Sequence, residues 1–488
     1  MKNENITLSK IAHSQRSKSF RTNAALILTT LVLLIAAATT AATAQTYTDL
    51  FNFNGTDGAN PEHPALLAQG RDGDLYGTTY NGGSGRGGVV FRITPGGDLT
   101  VLYNFTVYIN GYYPEAGLTL GTDGNLYGTT YGGDANYRGT IFKITPRGNL
   151  TTLYSFCSQP KCTDGGNPYA PPIEGTDGNF YGTTSSTAYK ITSSGTFTLL
   201  ATLPGGSKAP LLQGRDGNFF GTTETGGTNR CSQDSHFSCG TAFKMTPQGV
   251  LSIIHNFDGK HGSAPVAPLI QGSDGNFYGT AKVGGGHNGG DVFKLTPQGG
   301  FTVLHRFLDP NYPEDGAQPV AGLVQATDGN FYGTTHIGGN GNCPYYYGCG
   351  VIFQITPAEA YSILYNLDVA HGSYPMSTPM QHTNGKIYGL TESGGASGAG
   401  VVYSLDMGLG PFVSLLSTTR KIGKTVEILG QGFTGTTAVS FNGTPATFTV
   451  KSDTYLTATV PAGATTGFVT VTTPTGTLTS NKEFRVKP

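Results

Sequence analysis

Asp123-Gly124-Asn125-Leu126-Tyr127-Gly128-Thr129-Thr130 decides the fold of this chain, because the same phrase returns with small changes along most of its length. Its turn dipeptide falls at Asp72, Asp123, Asp177, Asp216, Asp274, Asp328 and Asn384, at spacings of 39 to 58 residues. Glycine takes positive φ at little cost and aspartate bonds the backbone just ahead of it, so each Asp-Gly or Asn-Gly pair reads as a tight turn between two short strands. A period near fifty residues made of strands means repeated β units, because one such unit cannot bury both of its faces alone.

Outward from the phrase, one repeat runs from Gly117 to Phe156. Gly117–Leu120 is a short first strand and Asn125–Thr130 a second. Tyr131–Arg138 is a glycine-rich loop and Gly139–Thr145 a third strand. Pro146-Arg147-Gly148 is a turn, and Asn149–Phe156 is a fourth strand, with Leu150, Thr152, Tyr154 and Phe156 on one side and Leu153 opposite. Four antiparallel strands per repeat predict propeller blades. Gly128 stands in mid-strand, where close approach of a side chain from an adjacent blade is expected. The seventh repeat has three strands, around Met380, Ile387–Thr391 and Val401–Leu405. Thr46–Phe53 matches a fourth strand such as Leu99–Phe105 but has no blade ahead of it. The N-terminal strand 46–53 is therefore expected to complete blade seven and hide the sheet edges of an open array.

The whole phrase, followed by Gly132-Gly133, Gly139-Thr140-Ile141-Phe142-Lys143-Ile144-Thr145-Pro146 and Leu150-Thr151-Thr152-Leu153-Tyr154-Ser155-Phe156, resembles the GloVer tandem repeat of exported bacterial proteins over roughly Thr46 to Leu405. The third repeat departs with Ser185-Ser186 and the seventh with Asn384 and Leu390. The resemblance implies export and a propeller-like array, and no agreed activity. A kelch propeller has a similar period, but this chain has no Trp. From about Leu409 the texture changes to short alternating strands with Gly430-Gln431-Gly432-Phe433 and Val460-Pro461-Ala462-Gly463. These phrases look like an IPT/TIG domain, an immunoglobulin-like β-sandwich. The expected fold is thus all-β: a seven-bladed β-propeller at 45–407, a linker at 408–411 and an IPT/TIG β-sandwich at 412–488 acting as a spacer.

Lys2, Lys10, Arg16, Lys18 and Arg21 precede an apolar run from Ala24 to Ala38, and Ala42-Thr43-Ala44 is a small-x-small cleavage site. Residues 1–44 read as a signal peptide. Export to the extracellular space, cell surface or periplasm is expected, with no membrane span after its removal. The whole chain has net charge -1; five bases and one acid lie in that leader, which leaves -5 for the rest. Neither value points to nucleic acid. Six cysteines fall in local pairs, Cys157 with Cys162, Cys231 with Cys239 and Cys343 with Cys349. Behind a signal peptide they read as disulfides, since neither Cys-x-x-Cys nor histidine at ligand spacing is present.

In a propeller, the turns joining first to second and third to fourth strands share one face, and here they are tight. The second-to-third and interblade loops share the other, and here they are long. That face collects Tyr108, Tyr112, Tyr113, Tyr137, Tyr169, Tyr312, Tyr345, Tyr346, Tyr347 and Tyr374. Tyrosine offers a flat apolar body with a polar end, suited to sugar rings or protein interfaces. These residues, Tyr108 excepted, are the candidate ligand set, with a glycan or a cell-surface protein as partner. Asp72 with Asp74 reads as turn chemistry. Glu314-Asp315 is the best acidic pair, though adjacent acids rarely flank a scissile bond. His236, His261, His287, His336 and His371 lie on or near the long-loop face without ligand spacing. No metal, cofactor or catalytic residue is assigned, and the expected class is a non-catalytic binding protein. The alternatives are an enzyme acting on extracellular polysaccharide and a structural envelope protein. Two buried carboxylates or three converging imidazoles on that face would favour the enzyme.

Overall fold

The computed structural model describes residues 45–62, 66–109, 111–133, 136–231, 238–308, 314–341, 343 and 347–487. The expected signal peptide lies outside them. Gln45–Pro488 forms one compact unit. It is built from strands, with a single 3-10 turn at Pro160–Cys162 among the described residues.

The repeated phrase makes the turn that its chemistry predicts. Asp123 Oδ1 accepts the backbone N–H of Asn125 (3.0 Å), while Oδ2 accepts the Tyr127 hydroxyl (2.8 Å). The same aspartate–tyrosine bond recurs at Tyr76, Tyr181, Tyr278 and Tyr332. This bond satisfies the hydroxyl of a tyrosine whose ring is buried. Each repeat then forms a four-stranded antiparallel sheet, such as Thr119–Leu120, Leu126–Thr130, Thr140–Ile144 and Leu150–Ser155. Strict alternation in the fourth strand is broken. Ile141 pairs with Tyr154 and Phe142 with Thr152, so Leu153 is the extra residue of a β-bulge. Equivalent bulges occur in the other five sheets of this kind. Met380–Gln381, Ile387–Ser393 and Val401–Asp406 form a further sheet whose outer neighbour is the N-terminal strand Thr46–Asn52, with a bulge between Asp49 and Phe51.

Successive sheets are tied by a relay of side-chain amides that the sequence reading did not single out. Gln213 Oε1 accepts the N–H of Thr176 in the preceding sheet, Gln271 that of Arg215 and Gln325 that of Ser273, each at 2.9 Å. Gln381 and Thr327 continue the relay, and Gln69 of the first repeat takes the N–H of Thr383 in the last, both at 3.0 Å. Glu174 does the same for Thr122. The second repeat carries Leu120 at this position. There Arg71 instead reaches across to the Thr122 carbonyl.

The mid-strand glycines answer to their own sheet, which corrects the expectation of a neighbouring blade. A Cβ on Gly128 would stand 2.5 Å from Cζ of Phe142, its cross-strand partner, and 2.9 Å from Leu118. The tip of the phenylalanine ring covers the glycine, and Gly77, Gly221, Gly279 and Gly333 are covered the same way. Gly128→Ala is therefore expected to destabilise the chain by about 2 kcal/mol through overpacking. Urea unfolding measures this, and an unchanged midpoint would show that Phe142 moves freely.

The C-terminal residues form a sandwich of two four-stranded sheets around Val426, Ile428, Phe441, Leu456, Val471 and Phe484. It does not hang free as a spacer. The Arg71 guanidinium lies 4.6 Å from the Tyr455 ring centre, and the Thr454 hydroxyl donates to the Arg71 carbonyl at 2.8 Å. Gln431 donates to Thr383 Oγ1 (2.9 Å), and Arg485 donates to the Arg215 carbonyl (2.9 Å) on another repeat. Among the described residues no helix is long and apolar enough to cross a membrane.

Candidate functional site

The loops that lead into the first strands share a local rule. In six repeats a residue with φ between 50° and 59° precedes proline: Asn60, Tyr113, Asn167, Ala264, Gln318 and Tyr374. Its carbonyl accepts the N–H of the residue ending the second strand's run, as in Tyr80 to Asn60 and Tyr131 to Tyr113. Two side chains per repeat are thereby carried at the long-loop end: the one after the proline, and the one after the Thr-Thr. In the first two repeats these are Glu62 with Tyr80, and Glu115 with Tyr131.

Glu115 is 8% exposed. Burial and then the charge of Glu62 push its carboxyl up to about 8, with Lys208 opposing. Burial and then Glu392 push Glu62 up to about 7. Glu392 itself is raised by burial. Lys208 pairs with Glu224 at 2.9 Å and lies over the Tyr169 ring. On the opposite arc, burial and then Lys282 depress the His336 imidazole to about 4, and its ring packs 5.3 Å from Tyr374. The site thus holds carboxyls that stay protonated at unusually high pH, together with cations and a neutral imidazole.

A line of tyrosines runs to this cluster. Tyr137 meets Tyr108 edge-on at 6.4 Å, Tyr108 meets Tyr112 at 5.6 Å, and Tyr112 meets Tyr113 at 4.7 Å. Tyr113 stacks on Tyr80 at 4.4 Å. Both carboxyls, Glu115 and Glu62, raise the Tyr80 hydroxyl after burial does. Tyr108 and Tyr137 are exposed at the outer end. Exposed, rigidly backed rings offer apolar faces with polar ends at low entropy cost.

Of the candidate tyrosines, Tyr112, Tyr113 and Tyr137 belong to this line. Tyr169 packs on Tyr131, and Tyr374 on His336. Tyr347 is exposed. Tyr312, Tyr345 and Tyr346 lie outside the described residues, as does His236. Among the others, His261 and His371 bind Asp258 and Asp368 within their own loops. Asp315 accepts from His305, while Glu314 is exposed, so the adjacent acids sit in different surroundings. Asp72 is bonded within its turn. No group of three metal-binding side chains occurs among the described residues. The pairs Cys157–Cys162, Cys231–Cys239 and Cys343–Cys349 are disulfides. Glu62 and Glu115 escaped the sequence reading because each is a single acid in its loop. The recurring proline was the signal that could have aligned them.

A sequence model of the Gloeobacter/Verrucomicrobia repeat matches residues 37–188 and 184–343, and one of the IPT/TIG domain matches 411–486. No curated protein matches the chain. Among solved structures, a streptogramin B lyase is similar with a TM-score of 0.50 at 17% identity, covering 75% of this chain and 98% of its own. Virginiamycin B lyase from Staphylococcus aureus is similar with a TM-score of 0.50 at 16% identity, covering 74% and 99%. At this identity the likeness concerns the fold. It overturns the expectation of a non-catalytic protein, because that expectation rested on the absence of a local motif, and these two enzymes carry catalysis on the same propeller-like fold.

Proposed function

From the premise that the chain belongs to the Gloeobacter/Verrucomicrobia repeat family, we propose that it is an exported enzyme acting on polysaccharide. Its site is the long-loop face of a closed seven-bladed propeller. The observation that carries this reading is the pair Glu115 and Glu62, raised to about 8 and about 7, at the inner end of the tyrosine line. Closure is supported by the pairing of Thr46–Asn52 with Val401–Asp406 and by the bond from Thr383 to Gln69. Export is supported by three disulfides, which persist in oxidising compartments.

Two carboxyls with different titration can split the roles of acid and base. At neutral pH Glu115 keeps its proton and can give it to a departing glycosidic oxygen as the C–O bond breaks. Glu62, ionising first, can take a proton from the attacking water. The tyrosines from Tyr137 to Tyr113 would carry successive sugar rings toward this pair.

The test is product release from a panel of soluble polysaccharides by the chain from Gln45 to Pro488. Activity is expected to peak between about pH 7 and pH 8, where one carboxyl is charged and the other is not. Glu115→Gln is expected to lower kcat by about 10²–10⁴-fold with KM little changed. Release of no sugar from any polymer, or full activity in Glu115→Gln, would refute the proposal.

A further inference from the structure

At the opposite, tight-turn end, the sheets and the IPT/TIG domain line a partly open cavity of about 960 Å³. That is the size of a small-molecule site. The ends of first strands, with Gln213, Gln271, Gln325 and Gln381, form one wall. These amides are already committed, since each accepts a backbone N–H and donates to a turn carbonyl. The opposite wall comes from the sandwich, which is pinned on two sides by the Arg71–Tyr455 and Arg485–Arg215 contacts.

The charges on the lining do not balance. Arg215, Arg420, Lys482 and Arg485 face Glu174 and Glu483. Glu174 spends both oxygens on Thr122, at 2.6 Å each. Arg215 and Arg485 donate to the carbonyls of Ser273 and Arg215. Neither Arg420 nor Lys482 forms an ion pair among the described residues, although Arg420 lies near enough to Glu174 to draw its carboxyl down against the effect of burial. The Lys482 side chain keeps accessible surface. Yet its surroundings desolvate it enough to hold the amine below the usual lysine range, with Arg215 adding to the effect. Lys482 is exposed, and both facts hold together if that surface faces the partly open cavity, whose walls stand close around the amine.

We propose that this cavity binds a small solute bearing an oxyanion, carboxylate or phosphate, held among its lining cations, with the Arg420 guanidinium and the Lys482 amine contributing to the grip. Cations in a partly enclosed space attract an anion more strongly than they would on an open surface. The arginine fork suits two oxygens of one group, and the lysine supplies a point charge. Because the walls come from both domains, a bound anion would also hold the sandwich against the propeller and so stabilise the whole unit.

Thermal unfolding and calorimetry of the chain from Gln45 to Pro488 test this in 150 mM NaCl, which screens loose surface binding. The probes are inorganic phosphate and D-glucuronate, with D-glucose as the neutral control. At 20 mM at least one anion is expected to raise Tm by about 2–4 °C, and glucose by nothing. Whichever anion responds identifies the group. The double change Arg420→Gln with Lys482→Gln is expected to abolish the rise, and each single change to weaken binding about tenfold or more. A Tm unmoved by both anions overturns the proposal, as does an equal rise in the double variant. Neither result bears on the carboxyl pair at the other end.

Discussion

Deleting Thr46–Asn54 is expected to leave a chain that does not fold. The segment is short, but it carries the outer strand of the last sheet. Thr46–Asn52 pairs with Val401–Asp406 over six residue pairs. Phe53 is fully buried, donates its N–H to the Gly400 carbonyl at 3.0 Å and meets the Phe91 ring of the first repeat at 5.4 Å. Tyr47 stacks on Tyr365 of the preceding sheet at 4.0 Å, and its hydroxyl donates to the His371 carbonyl at 2.6 Å. The strand thus touches the sheet on each side of its own. Losing buried Phe53, half-buried Tyr47 and Phe51 and several ladder bonds removes roughly 6–10 kcal/mol. That is comparable with the whole stability of an ordinary domain, about 5–15 kcal/mol. Circular dichroism on the truncated protein should show no cooperative transition, and a peptide of residues 46–54 supplied in trans should restore one. A truncated protein with the parent Tm would refute closure by this strand.

What the sequence makes plain, and what it hides, follows from the range of the interactions. The Asp-Gly turns are local: Asp123, Asn125 and Tyr127 lie within five residues, so their chemistry is visible in one line of text. The glutamine relay is not local. Gln69 and Thr383 lie 314 residues apart, and Gln69 sits in a strand of only two residues with no periodicity to mark it. Gly128 was recognised as a place of close approach, yet the approaching group was assigned to the wrong sheet, because pattern alone does not say which way a phenylalanine leans. The loop tyrosines could be assigned to one face. Their joining into a line toward Glu115 depends on left-handed residues such as Tyr108 and Tyr113, whose backbone turns carry no unambiguous signature. The acid pair joins two repeats, and only the curvature of the array brings Glu62 and Glu115 within reach of each other's charge.

Replacing Asp291 is expected to stabilise the protein, and more so at higher pH. In the second, fourth and fifth repeats the pair that closes the second strand and opens the third is Thr130–Thr140, Thr223–Thr241 and Ala281–Asp291. The two threonine pairs share a hydroxyl bond at 2.8 Å. Asp291 is fully buried, and neither of its oxygens has a hydrogen-bond partner; Arg306 comes no closer than 4.0 Å. Burial raises its carboxyl to about 6, against the pull of Arg306, His261 and His305, with Asp258 adding to the rise. A carboxyl raised on folding opposes folding once it ionises. Its penalty is absent below the unfolded value near 4, grows between about 4 and 6, and is complete above 6. At pH 7 the shift corresponds to about 3 kcal/mol. The double change Asp291→Thr with Ala281→Thr would restore the pair found in the second and fourth repeats. It should therefore raise Tm by several degrees at pH 7 and by little at pH 4, as read by unfolding scans at both values. A double variant less stable than the parent at pH 7 would refute the reading of Asp291 as an uncompensated charge in the core.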